Sequence, residues 1–180
     1  MSKAVLISIR PKWCEKIASG EKTIEVRKTR PKLETPFKCY IYCTKAKERL
    51  IGILKDGDEN YGESYNGKPV FIKTYKSSDC YAIGHSSAVI GDFVCDEIIE
   101  IDSARKIQSD VARPTCLEPA ELHKYLGVAV GYGWHISNLK LYDEPKKLSE
   151  FTELRKTKFG MEPVTITRPP QSWGYVEELP

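Results

Sequence analysis

The chain has 180 residues, of which 41% are hydrophobic and 29% charged, with a formal net charge of +3, values that suit one soluble globular domain and exclude a disordered chain. The charge is uneven: residues 1–49 hold 13 Lys or Arg against 5 Glu, a net +8, while the rest holds 15 against 20. The basic end carries the signal for a polyanionic partner, although a solvated charged face reads the same way. The longest apolar stretches, residues 4–9 and 88–90, fall far short of the roughly 20 residues that cross a bilayer, so no membrane partner is expected. Met1-Ser2-Lys3 leads straight into Ala4-Val5-Leu6-Ile7, without the apolar region and cleavage site of a secretory signal, and a cytoplasmic protein is expected.

Residues 4–9 form a β-rich run that ends at Pro11. Trp13, Ile17 and Ala18 then show helical spacing over residues 11–19, with Pro11 suited to a first turn and Gly20 to the stop. Thr23-Ile24-Glu25-Val26-Arg27 alternates strictly, which predicts a strand with Ile24 and Val26 toward the core. Thr23, Glu25 and Arg27 then project together from the other face, beside Lys22. Strands are expected over 37–44 and 49–54, followed by an irregular Gly-, Asp-, Asn- and Ser-rich segment in which 70–75 makes a short edge strand. Residues 88–101 read as a long or bent strand with Gly91 as its bulge.

Thr115-Cys116-Leu117-Glu118 has capping-box spacing ahead of a helix over 118–126 that Gly127 can end. A strand over 132–142 closes at Pro145, and at most a helical turn fits 147–151. The tail Arg168-Pro169-Pro170-Gln171-Ser172-Trp173-Gly174-Tyr175-Val176 begins too proline-rich for central pairing but can finish as a strand. Many strands with two short helices predict an α+β, mostly β, class: a small β-barrel with two short peripheral helices. One domain spans 1–180, with a loop insertion at about 55–85.

Cys14, Cys39, Cys43, Cys80, Cys95 and Cys116 are scattered, with no Cys-x-x-Cys pair, which predicts free thiols rather than disulfides or a zinc site. His85, His123 and His135 have no ligand spacing, and no Walker loop, nucleotide-binding glycine pair or serine elbow occurs, so no metal or cofactor is expected.

The chemistry concentrates at residues 20–28. Lys22 offers a point charge for phosphate or, if desolvated, an amine that can act as base or nucleophile. Arg27 offers a fork for phosphate or a base edge, with Lys28 as a further phosphate contact. Glu25, between them, can hold either cation in place or serve as general base on a water, which makes Lys22 and Glu25 the catalytic candidates. A solvated strand face would carry the same row. From the tail, Arg168, Gln171 and Ser172 are candidate ligand contacts with Thr23 and the others, and Trp173 either stacks on a base or plugs the end of the fold.

The order strand, helix, then Gly20-Glu21-Lys22-Thr23-Ile24-Glu25-Val26-Arg27 resembles the ASCH domain family of the PUA-like superfamily. Its first helix ends in a Gly-x-Lys-Thr-type turn followed by a strand with an outward Arg. The resemblance continues through 90–101, the helix after it, 134–142 and 168–176, and leaves 55–85 as an insertion. It implies a PUA-like barrel with a cleft lined by the motif, in a superfamily where RNA binding and modified-nucleoside chemistry recur. Some ASCH proteins are small amidohydrolases that deacylate acetylated cytidine, with a proposed Lys, Thr and Glu set; their Lys falls on Lys22 and their Thr on Glu25. Other members are nucleases or simple binders. Three readings follow: a module that binds RNA or a modified nucleotide, a nucleoside-directed hydrolase using Lys22 and Glu25, and a protein-interaction domain using the insertion.

Overall fold

The structure, a computed structural model, describes residues 2–45, 49–54, 70–74 and 87–180. Most of the expected insertion, with Cys80 and His85, lies outside the described residues. In chain order the elements are β1 (Lys3–Ile9), α1 (Pro11–Ala18), β2 (Ile24–Arg27), β3 (Phe37–Cys43), β4 (Arg49–Leu54), β5 (Val70–Thr74), β6 (Ala88–Cys95) and β7 (Ile98–Asp102). They continue with α2 (Ser109–Ala112), α3 (Pro119–Leu126), β8 (Val130–His135), β9 (Ser137–Lys146), β10 (Thr152–Thr157), β11 (Gly160–Thr165) and β12 (Trp173–Glu177).

Strand β1 lies second in a five-stranded sheet of order β12-β1-β3-β6-β9. Paired with β12 on one edge and with β3 on the other, it is buried from Ala4 to Ile9, and its alternating side chains feed two cores. Val5, Ile7 and Ile9 pack with Cys14, Ile17 and Trp134. Ala4 and Leu6 pack on the opposite face with Tyr40, Phe151 and Ile166. Helix α1 starts at Pro11 and buries Cys14, Ile17 and Ala18, and Gly20, at φ 75°, turns the chain toward β2.

The long strand expected over 88–101 is bent. Asp96 and Glu97 separate β6 from β7, and Ile136 alone separates β8 from β9, so one two-stranded ribbon serves both the large sheet and a three-stranded sheet of order β2-β8-β7. At the bend the Nδ1 of His135 lies 2.7 Å from Asp96 Oδ1. The pairing slips at Gly91, where a Cβ would lie 2.4 Å from the Lys140 carbonyl oxygen, so only glycine fits. Helices α2 and α3 cover the small sheet with Ala112, Leu122 and Leu126 against Val26 and Ile101.

Two expectations are corrected. Among the described residues the sheets do not close into a barrel. Closure would need a ladder from an edge of the small sheet to an edge of the large one. The edge strand β2 has only four residues, and its contact to the tail runs through the Arg27 side chain instead. Secondly, a third short helix, α2, precedes α3, and Thr115 does not cap α3. Its hydroxyl donates to the Ala112 carbonyl at 2.6 Å, while Glu121 accepts the N–H of the true N-cap, Glu118, at 3.0 Å. Residues 152–165 form the hairpin β10–β11, and Gly160, at φ 122°, permits its two-residue turn. Strands β4 and β5 pair with each other. No helix among the described residues is long and apolar enough to cross a membrane.

Candidate functional site

A cleft of about 440 Å³ opens where the end of β1, helix α1, strand β2 and helix α3 meet. Its floor is made by β2. All four residues of that strand are buried, two apolar and two charged, and Glu25 and Arg27 line the cleft with Lys22. The alternation read from the sequence places Val26 in the core under the helices, while the charged residues sit beneath the opening rather than in solvent.

Lys22 is 2% exposed, and its ammonium donates to the carbonyls of Ile24 and Thr115, each at 2.8 Å, and lies 3.2 Å from Glu25 Oε2. Three N–H groups thus meet three acceptors. Glu25 Oε1 lies 2.9 Å from Arg27 Nη2, which also donates to the Ser8 carbonyl at 2.7 Å. Arg27 Nη1 reaches Ser172 Oγ at 3.2 Å, and its Nε is buried without a partner among the described residues. One carboxylate therefore lies between two cations, whose bonds to the Thr115 and Ser8 carbonyls and to Ser172 tie the α2–α3 turn, β1 and the tail to β2. Under the floor, burial pushes the Cys14 thiol well above its ordinary value, and the Cys43 thiol beside it adds to the effect.

The walls are aromatic. Trp13 lines one side, with the ammonium of Lys22 at 5.2 Å and that of Lys12 at 4.6 Å from its ring centroid. Tyr125, 40% exposed, lines another, with Lys28 at 5.4 Å from its centroid, and burial pushes its phenol above the ordinary value. Arg10 and Gln171 complete the mouth. Arg10, Lys12 and Lys28 are exposed and make no ion pair among the described residues.

Of the residues named from sequence, Lys22, Glu25, Arg27 and Gln171 line the cleft, Lys28 stands at its rim, and Ser172 is held by Arg27. Thr23 does not line it; its backbone N–H donates to the Pro114 carbonyl at 3.0 Å. Trp173 does not face it either. That ring packs against Trp134 and Tyr175 and donates its indole N–H to Thr29 Oγ1 at 3.1 Å. Arg168 lines a different depression. Arg10, Trp13 and Tyr125 were not singled out for the site, because periodicity cannot distinguish a helix residue that walls a cleft from one that fills a core. No group of three or more metal-ligating side chains occurs among the described residues.

No protein-family model matches the sequence, and no curated protein matches it. Solved structures do. The crystal structure of ASCH from Zymomonas mobilis is similar at a TM-score of 0.58 and 18% identity, covering 97% of this chain and 88% of that one. A tyrosine-to-phenylalanine variant of that protein matches at 0.54 and 16% identity, over 98% and 92% of the two chains. A serine-to-alanine variant matches at 0.52 and 16%, over 97% and 89%. The chain has an ASCH-like fold. Within this ASCH-like frame the cleft lies beside the unpaired edge of β2, with Gln171 of the tail at its mouth.

Proposed function

We propose that the cleft binds RNA or a nucleotide, with phosphate on the exposed cations Arg10, Lys12 and Lys28 and a base against Tyr125 or Trp13. The observation that supports this reading best is the division of labour among the charges. Lys22 spends its donors on two carbonyls and Glu25, and Arg27 all but its Nε on Glu25, the Ser8 carbonyl and Ser172, whereas among the described residues the rim cations have no carboxylate partner, and Lys12 and Lys28 stand over the aromatic walls. Unpaired cations beside π-faces are what a phosphate and a base require together. In this reading Lys22 and Glu25 hold the floor, and Arg27 and Gln171 offer polar groups to the ligand edge. The hydrolytic reading asks more of Lys22, since an amine that acts as base or nucleophile needs a free electron pair, and this one is fully engaged as a donor.

The test is a titration of the protein with mononucleotides and with a short RNA at two salt concentrations. Binding weakens at the higher salt because phosphate contacts release counterions. Arg10→Ala weakens it at both, and Tyr125→Ala costs about 1–3 kcal/mol of stacking. Absence of any binding at low salt overturns the proposal.

A further inference from the structure

The hairpin β10–β11 stands apart from the cleft, and none of its residues lines that site. Its base is fixed. Phe151 and Ile166, both buried, close it with a bond from the Ile166 N–H to the Phe151 carbonyl at 2.9 Å, and the Thr152 hydroxyl donates to Glu177 Oε2 of β12 at 2.7 Å. From there the ribbon runs to an exposed turn, Lys158-Phe159.

Residues directly opposite in a ladder share one face of it. Glu153 pairs with Val164 and Arg155 with Glu162, and on this inner face Glu153 and Arg155 line a depression with residues of β12. Leu154 pairs with Pro163 and Lys156 with Met161, which places these four on the outer face, and all four are exposed. Leu154 is 45% exposed, Met161 62% and, at the turn, Phe159 77%, a cluster of large apolar side chains of the kind that marks a contact surface. Both acids of the ribbon, Glu153 and Glu162, belong to the inner face. The outer face and the turn thus combine apolar groups with Lys156 and Lys158, neither of which makes an ion pair among the described residues. The Lys158 ammonium lies 4.8 Å from the Phe159 ring centroid.

We propose that the outer face and turn of this hairpin dock on an anionic lipid bilayer, with Leu154, Phe159 and Met161 at the acyl margin and Lys156 and Lys158 among the headgroups. Lysine stems lie along apolar surface while their ammoniums stay at the polar level, which is the composition of an interfacial anchor. Such an anchor spans nothing, so the shortness of the apolar runs does not oppose it. A second copy of the chain suits the surface less. Tips of like charge repel, and Pro163 removes a donor from the unpaired edge of β11 where another strand would add. A folded protein partner would meet about 20–30 residues on each side, far more than this ribbon presents. Nucleic acid would engage the lysines and the Phe159 ring but leave the aliphatic Leu154 and Met161 in water.

The experiment is flotation of the protein with vesicles of phosphatidylcholine alone and of phosphatidylcholine mixed with phosphatidylserine, at low and at physiological salt. The parent floats with the anionic vesicles, and binding weakens with added salt and without phosphatidylserine. Phe159→Ala lowers the affinity about ten-fold, as expected for one large apolar side chain kept out of the acyl margin. Lys156→Gln and Lys158→Gln each lower it about five-fold. All three variants melt with the parent, because the side chains they change are exposed. Absence of flotation with anionic vesicles at low salt overturns the proposal, and so does binding that Phe159→Ala leaves unchanged. A parent that ignores the vesicles but forms a dimer, or holds a nucleic-acid strand, that Phe159→Ala weakens assigns the face to that partner and overturns it likewise.

Discussion

Strand β1 reads Lys3-Ala4-Val5-Leu6-Ile7-Ser8-Ile9 and is buried from Ala4 onward, and strand β2 reads Ile24-Glu25-Val26-Arg27 and is buried throughout. The first is buried by composition and pairing: apolar side chains on both faces and a ladder on both edges. The second has a ladder on one edge only, to β8, and two of its four side chains are ions. Taking an ion out of water costs several kcal/mol unless partners replace the water. Here the partners are Lys22 for Glu25, and the Ser8 carbonyl and Ser172 for Arg27, besides the bond between the two ions themselves. Apolar residues of similar size would often stabilise a fold as well or better. What distinguishes β2 is therefore its place beneath the cleft, where a charged floor meets whatever enters.

The largest effect expected is that of Glu25→Leu. It leaves Lys22 and Arg27 buried without their shared carboxylate, a loss of about 3–5 kcal/mol, measurable by urea denaturation. Adding Lys22→Met to that variant recovers part of the loss, because one of the two uncompensated charges is then gone. A Glu25→Leu protein within about 1 kcal/mol of the parent, a value typical of an exposed pair, would show that the floor is solvated and that the two strands do not differ as described. On the other strand Ile7→Val removes one methyl group from a fully buried site and costs about 0.5–1.5 kcal/mol. That smaller loss brings no change in ligand binding, since Ile7 packs into the core and does not line the cleft.

This contrast also separates what could be read from the sequence. Strand β1, helix α1 and the slip of β6 at Gly91 follow from an apolar run, Pro11, Gly20 and Gly91, all local signals. The Lys22, Glu25 and Arg27 set was legible because charged residues alternated with apolar ones in one short strand. Its burial was not, because Thr115, Ser8 and Ser172, which supply the missing partners, lie in other elements. Nor could the sequence show that the seam beside β2 stays open, since strand pairing across the chain is a tertiary property. Trp173 illustrates the same limit. Its neighbours allow either a ring that stacks on a base or one that plugs the end of the fold, and the register of β12 against β1, a tertiary property, places it on Trp134.

The smallest effect expected comes from a third close pair, which serves as a control for the buried set. Asp96 and His135 approach to 2.7 Å, as close as the contacts of Glu25, but both side chains are more than a third exposed, at the bend between the sheets. Water screens such a pair, so geometry alone does not make it stabilising. The hydrogen bond from His135 holds the Asp96 carboxyl below its ordinary value. The folded chain therefore keeps this carboxylate charged at a pH where the unfolded chain, with its carboxyl near about 3.9, already takes up a proton. The contribution is present in full above that value and is lost as the pH falls through the lower folded value. Asp96→Asn should consequently leave the melting temperature at neutral pH almost unchanged and make its decline below about pH 4 slightly shallower. Melting curves of parent and variant across that range decide the matter. If Asp96→Asn destabilises at neutral pH as much as Glu25→Leu does, distance rather than burial governs these charges, and the distinction between β1 and β2 loses its physical basis.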